Sequence, residues 1–181
     1  MAVLPRRRAW TNLAGHRRRP DTLRPASFTH ALVACLVALA LGAAPNYDRI
    51  LEQARQRYGG RGAQVMQEWR DEMQGMRRRS EDEQIRRINE FVNRRVLFES
   101  DQDIWGQKDY WATPLETLGR GAGDCEDYAI AKYISLRLLG IDNDKLRITY
   151  VKARIGGPRS SISEAHMVLG YYSAPDAEPL I

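Results

Sequence analysis

The chain has 181 residues, with 28 Lys+Arg against 23 Asp+Glu, a formal net charge of +5 and a hydrophobic fraction of 43%. Length and apolar content suit one globular domain and exclude a disordered or fibrous chain, while two cysteines exclude a disulfide scaffold and a four-thiolate zinc site. Nor does the basic balance point to nucleic acid, because residues 1–44 hold seven Arg and a single acid, leaving residues 45–181 with 21 basic and 22 acidic side chains.

The basic segment reads as a targeting sequence. Arginines precede the uncharged run Ala31 to Ala44 (ALVACLVALALGAA), which is too short to span a bilayer comfortably and ends in small residues before Pro45. A signal peptide over 1–44, cut after Ala44, is the expectation, with an uncleaved N-terminal anchor as the alternative. Either places 45–181 outside the cytoplasm, and Arg-, Ala- and Leu-rich coding suggests a bacterial periplasm. Cleavage would remove Cys35, His16 and His30, leaving Cys125 and His166 as the mature domain's cysteine and histidine.

From Asn46 onward the pattern is helical. Tyr47, Ile50, Leu51, Ala54 and Tyr58 recur at helical spacing until Gly59-Gly60. A second stretch from Gly62 to Arg79 carries Val65, Met66, Trp69, Met73 and Met76 as a core stripe. A third opens on a Ser80/Glu83 capping box and continues through Ile85, Ile88, Phe91, Val92 and Leu97. Residues 99–112 read as a loop rich in acids and aromatics. Thr113, Pro114 and Glu116 signal a new helix start. After the glycines at 119, 121 and 123, a helix from Cys125 to Leu139 should end at Gly140. Leu146–Ile155 and Ala165–Tyr172 have strand chemistry, and Leu180-Ile181 looks like the start of another strand.

The chemistry concentrates at Cys125. A sulfur at a helix N-terminus meets unpaired N–H groups and the positive end of the dipole, which favour a thiolate and could hold an oxyanion. His166, at the start of a strand, can serve as the base that takes the thiol proton, and a third residue would be needed to orient the imidazole. Asp124, Glu126 and Asp127 crowd the cysteine with carboxylates. Two readings stand: a bound hard cation such as calcium neutralises them, or Asp124 caps the helix and the acids favour its dipole. Asp144, in an Asp-Asn-Asp loop without the glycine and closing glutamate of an EF-hand, could lend the cation an oxygen. Trp105 and Trp111, in the loop before the active-site helix, are candidates for a partner surface.

The blocks DYWATPLE (109–116), GDCEDYAIAKY (123–133) and AHMVL (165–169) together resemble the LapG-type bacterial transglutaminase-like cysteine proteinases. The resemblance implies an α+β, papain-like fold, its helical N-terminal part packed on a small antiparallel sheet. It also implies a periplasmic calcium-dependent endopeptidase that cuts a large cell-surface adhesin near its N-terminus and so controls biofilm attachment. An inner-membrane cyclic di-GMP receptor is the expected inhibitor. Carried over to this sequence, Cys125 matches the nucleophile, His166 the base, and Asp124, Glu126, Asp127 and, less closely, Asp144 the calcium ligands. The family's third catalytic residue is an aspartate in a Pro-Leu-(aliphatic)-Leu-Asp-Asn-like segment, of which Pro179-Leu180-Ile181 supplies only the start. Asp176 is a poor substitute, so a C-terminally incomplete domain is expected. Acyl transfer to an amine, and binding without catalysis, are the competing functions.

Overall fold

The computed structural model describes residues 45–181 apart from 155 and 158, so the expected signal segment lies outside the described residues. Asn46 caps the first helix by accepting the Arg49 N–H at 3.0 Å. That helix, α1 (Tyr47–Met76), leaves helical geometry only at Gly59, where φ is 69° and ψ is −163°. The expected stop at Gly59-Gly60 is therefore a kink, made by a residue without a Cβ, after which the helix resumes. Ser80 then caps α2 (Glu81–Arg95), accepting the Glu83 N–H at 3.4 Å, as the capping box implied.

The apolar stripes meet as expected. Met66, Trp69 and Met73 of α1 pack with Ile88, Phe91 and Val92 of α2 in one buried cluster. The Trp69 indole N–H donates to Ser135 Oγ at 2.9 Å, which satisfies the polar edge of a ring that is 3% exposed. Leu97 departs from the stripe: the helix ends before it, and it stands 64% exposed in β1 (Leu97–Phe98).

The segment read as a loop contains one more helix. Ser100 accepts the Asp103 N–H at 3.3 Å and starts α3 (Asp101–Trp105), a single turn that its sequence is too short to signal by periodicity. Next comes α4 (Pro114–Arg120), with Thr113 and Glu116 forming a complete capping box. β2 (Ala122–Gly123) pairs in parallel with β1, Leu97 opposite Ala122 and Phe98 opposite Gly123. α5 (Cys125–Leu139) ends at Gly140, followed by a 3-10 turn over Asn143–Lys145. β3 (Leu146–Arg154) and β4 (Ser163–Tyr171) form an antiparallel pair in which Val151 faces His166 and Tyr150 faces Met167. Leu180 exchanges two 2.9 Å backbone hydrogen bonds with Tyr171 on the other edge of β4.

α5 is the shared element, packing on α2 and α4 and also against the β3–β4 sheet. Glu81, at the start of α2, ties the two halves together by accepting from Lys145 Nζ at 2.8 Å and from the Tyr171 hydroxyl at 2.6 Å. The fold is α+β, a helical part on a small antiparallel sheet. Among the described residues no helix is long and apolar enough to cross a membrane.

Candidate active site

The parallel pairing of β1 with β2 places the chain after Phe98 beside the turn that opens α5, and so gathers the site. Asp124 occupies the N-cap position but makes no side-chain cap bond, so capping does not account for it. Gly123 sits so close to Asp127 that an added Cβ would lie 2.8 Å from Asp127 Cβ, which makes glycine necessary at that turn.

Cys125 is the first residue of α5, and it lines one cleft with His166 of β4. That cleft encloses about 460 Å³ and is also walled by Phe98, Tyr128 and Lys132. The thiol donates to Glu126 Oε2 at 3.1 Å. Burial pushes it up to about 11, the Glu126 hydrogen bond and the charges of Glu126 and Asp124 add to this, and the Met167 backbone N–H works against it. In this state the sulfur is a resting thiol, its proton directed to a carboxylate. Among the described residues no side chain accepts a hydrogen bond from the His166 ring. Asp176 is exposed in the turn beyond β4 and offers no substitute.

The acids form a cluster that includes two residues not anticipated from sequence, Asp101 and Asp109. Carboxylate oxygens of Asp101, Asp124 and Asp127 lie within 4.8 Å of one another, and so do those of Asp101, Asp109 and Glu126. Asp101 is 2% exposed and Asp127 fully buried. Asp101 accepts the Tyr110 N–H at 2.5 Å and Asp127 the Ala112 N–H at 2.8 Å. Asp101 Oδ1, Asp124 Oδ1 and Asp127 Oδ2 are nevertheless buried without a hydrogen-bond partner. Burial first, then the neighbouring carboxylates, push Asp124 up to about 7; burial chiefly pushes Asp127 up to about 6. Unpartnered buried carboxylate oxygens converging within ligand distance fit a hard cation, and calcium accepts such irregular oxygen sets.

Asp144 stands apart from this cluster. It lies in the 3-10 turn beyond the C-terminal end of α5, and fifteen helical residues make a rod about 22 Å long. Among the described residues, no acid group close enough to share an ion includes it. The two tryptophans also separate. Trp105 is partly buried against the Tyr110 ring, 4.8 Å between centroids, under the Arg120 guanidinium at 5.4 Å, whereas Trp111 is 50% exposed.

A thiol at a helix N-terminus sharing a cleft with a strand-borne imidazole defines a thiol hydrolase of the papain-like, transglutaminase-like class. The family model for bacterial transglutaminase-like cysteine proteinases matches residues 60–170. LapG of Legionella pneumophila is similar in structure, with a TM-score of 0.62, 32% sequence identity, and coverage of 75% of this chain and 70% of LapG. Its calcium-bound form gives the same figures, and an EGTA-treated form gives 33% identity with 69% of that chain covered. No curated protein sequence matches the chain. The chain belongs to the bacterial transglutaminase-like cysteine proteinases and is a cysteine protease.

His166→Asn is expected to keep the fold and lower peptide cleavage by at least about a hundredfold, since general-base removal costs that much or more. Unchanged melting with retained cleavage would assign the base to another group.

Proposed function

We propose that this protein is a periplasmic calcium-dependent endopeptidase that cuts a large cell-surface adhesin near its N-terminus and so releases cells from a biofilm. The observation that carries the reading is the joining of Cys125 and His166 in one cleft beside the buried acid cluster, in a chain of this family. His166 takes the Cys125 proton, and the sulfur attacks the scissile carbonyl. Backbone N–H groups at the start of α5 stabilise the oxyanion. Collapse expels the amine, protonated by His166, and leaves a thioester that water hydrolyses.

Asp101, Asp124, Glu126 and Asp127 would hold the calcium, with Asp109 at the rim of the same cluster. Bound there, it would supply positive charge to offset the carboxylates around the sulfur. Glu126 is both a candidate ligand and the acceptor of the thiol proton, so its engagement elsewhere would free that proton for His166.

Incubating the purified domain with an adhesin N-terminal fragment, with calcium or with a chelator, tests the proposal. Calcium-dependent cleavage supports it. Incorporation of an added amine indicates acyl transfer, and binding without product indicates a non-catalytic partner.

An inner-membrane cyclic di-GMP receptor is the proposed inhibitor, and Trp111 the surface side chain offered to it. Trp111→Glu is expected to weaken receptor binding at least about tenfold, as loss of an aromatic anchor does, without changing the melting temperature. Trp105→Glu should instead lower melting by several degrees, because it removes the ring that packs on Tyr110 and under the Arg120 guanidinium. Unaltered affinity in the Trp111 variant removes that surface from the proposal.

A further inference from the structure

Tyr150 is a large aromatic that neither the core nor the catalytic pair uses. It is 63% exposed, although its cross-strand partner, Met167, is 3% exposed. Directly opposed residues in an antiparallel pair project to the same face, so Tyr150 shares the α5-facing side of the sheet with Met167. The Met167 backbone N–H meets the Cys125 sulfur, which brings that face to the N-terminal end of α5. Desolvation first, and then the carboxylates of Glu126, Asp109 and Asp124, raise the pKa of its phenol. Met167 lines the cleft together with Cys125 and His166, so Tyr150, opposite it in the ladder, stands at the edge of that cleft. Among the described residues its hydroxyl has no hydrogen-bond partner.

We propose that Tyr150 is a substrate-positioning residue, its ring walling the active-site mouth and its hydroxyl donating a hydrogen bond to a backbone carbonyl beside the scissile bond. The inference rests on the protease reading. A peptide in extended form offers a carbonyl every residue, about 3.4 Å apart, so an acceptor falls within reach whatever the side chains. A neutral phenol is a donor throughout the physiological pH range. It need not move a proton, because its part is to hold the peptide in line for attack by the sulfur.

The test compares two covalent reagents at Cys125: iodoacetamide, which needs no positioning, and a peptidyl chloromethyl ketone, which does. Tyr150→Phe should slow peptidyl labelling about three- to tenfold, the worth of one hydrogen bond, and Tyr150→Ala should slow it further. Iodoacetamide rates and melting temperature should stay within about twofold and one degree of the parent, since no core contact is lost. With a cleavable peptide, the loss should fall mainly on KM. Equal slowing of both reagents would make Tyr150 a structural or thiol-tuning group, and unchanged peptidyl labelling would exclude substrate contact; either result overturns the proposal. Tyr150-dependent labelling without turnover of any peptide would uphold it while removing the protease reading.

Discussion

Replacing Cys125 by Ala is expected to abolish peptide cleavage and leave the domain folded. The substitution deletes one sulfur at a helix start, and alanine is the best helix former. Its hydrogen bond to Glu126 is lost, one neutral-donor contact from a half-buried thiol. Catalysis loses the atom that forms the thioester, so the rate should fall by at least about a thousandfold, to background. Melting temperature and the binding of uncleaved adhesin fragment should be close to those of the parent. Cleavage by the Ala variant at the parental rate would take the nucleophile's role from Cys125.

Calcium should change both stability and thiol reactivity, with a pH dependence whose sign is fixed by the buried acids. Asp124 and Asp127 are held up at about 7 and about 6, above the unfolded value of 3.8. Without metal, the folded state therefore binds more protons than the unfolded state between these limits, and stability falls as pH rises from about 4 through about 7. Ligation needs ionised carboxylates, so the stabilisation by calcium should be small at pH 5 and full above about pH 7. At a thousandfold excess over its Kd, a ligand adds about 4 kcal/mol, on the order of 10 °C in melting for a domain of this size. In chelator, melting should decline from pH 5 to pH 8, and the gap to the calcium-loaded protein should widen over that range. Alkylation of Cys125 at pH 7.5 should quicken on calcium addition, about tenfold for each unit by which the thiol pKa falls from about 11. Magnesium should restore little, because it demands near-octahedral geometry. Asp127→Ala should mimic the chelator and make it silent. Identical melting and alkylation in chelator and calcium would leave the acids as a device for the helix dipole alone.

The amino-acid sequence by itself determined the local features. The Ser80 and Thr113 caps, the Met66–Trp69–Met73 stripe, the helix from Cys125 to Gly140 and the two long strands all follow from side-chain periodicity and from which residues satisfy free backbone groups. These signals reach only three or four residues along the chain, and so does the crowding of acids at 124, 126 and 127. The pairing of nucleophile and base was legible only because one cysteine and one histidine remain after residue 44 and the motifs around them are distinctive. Tertiary structure alone decided the rest. Asp101 joins the acid cluster because β1 and β2, two residues each, pair across more than twenty positions of sequence, a contact too short and too distant to leave a periodic signal. Asp144, nearer to Cys125 in sequence than Asp101 is, falls outside the cluster because a rigid fifteen-residue helix keeps its two ends apart. The two tryptophans, six residues apart in one acidic segment, differ because the Ser100-capped turn folds Trp105 onto Tyr110 and leaves Trp111 in solvent. Tyr150 follows the same rule. Strand alternation fixes which residues share a face, but only the docking of that face against α5 brings Met167, and Tyr150 opposite it, to the cleft that holds the sulfur.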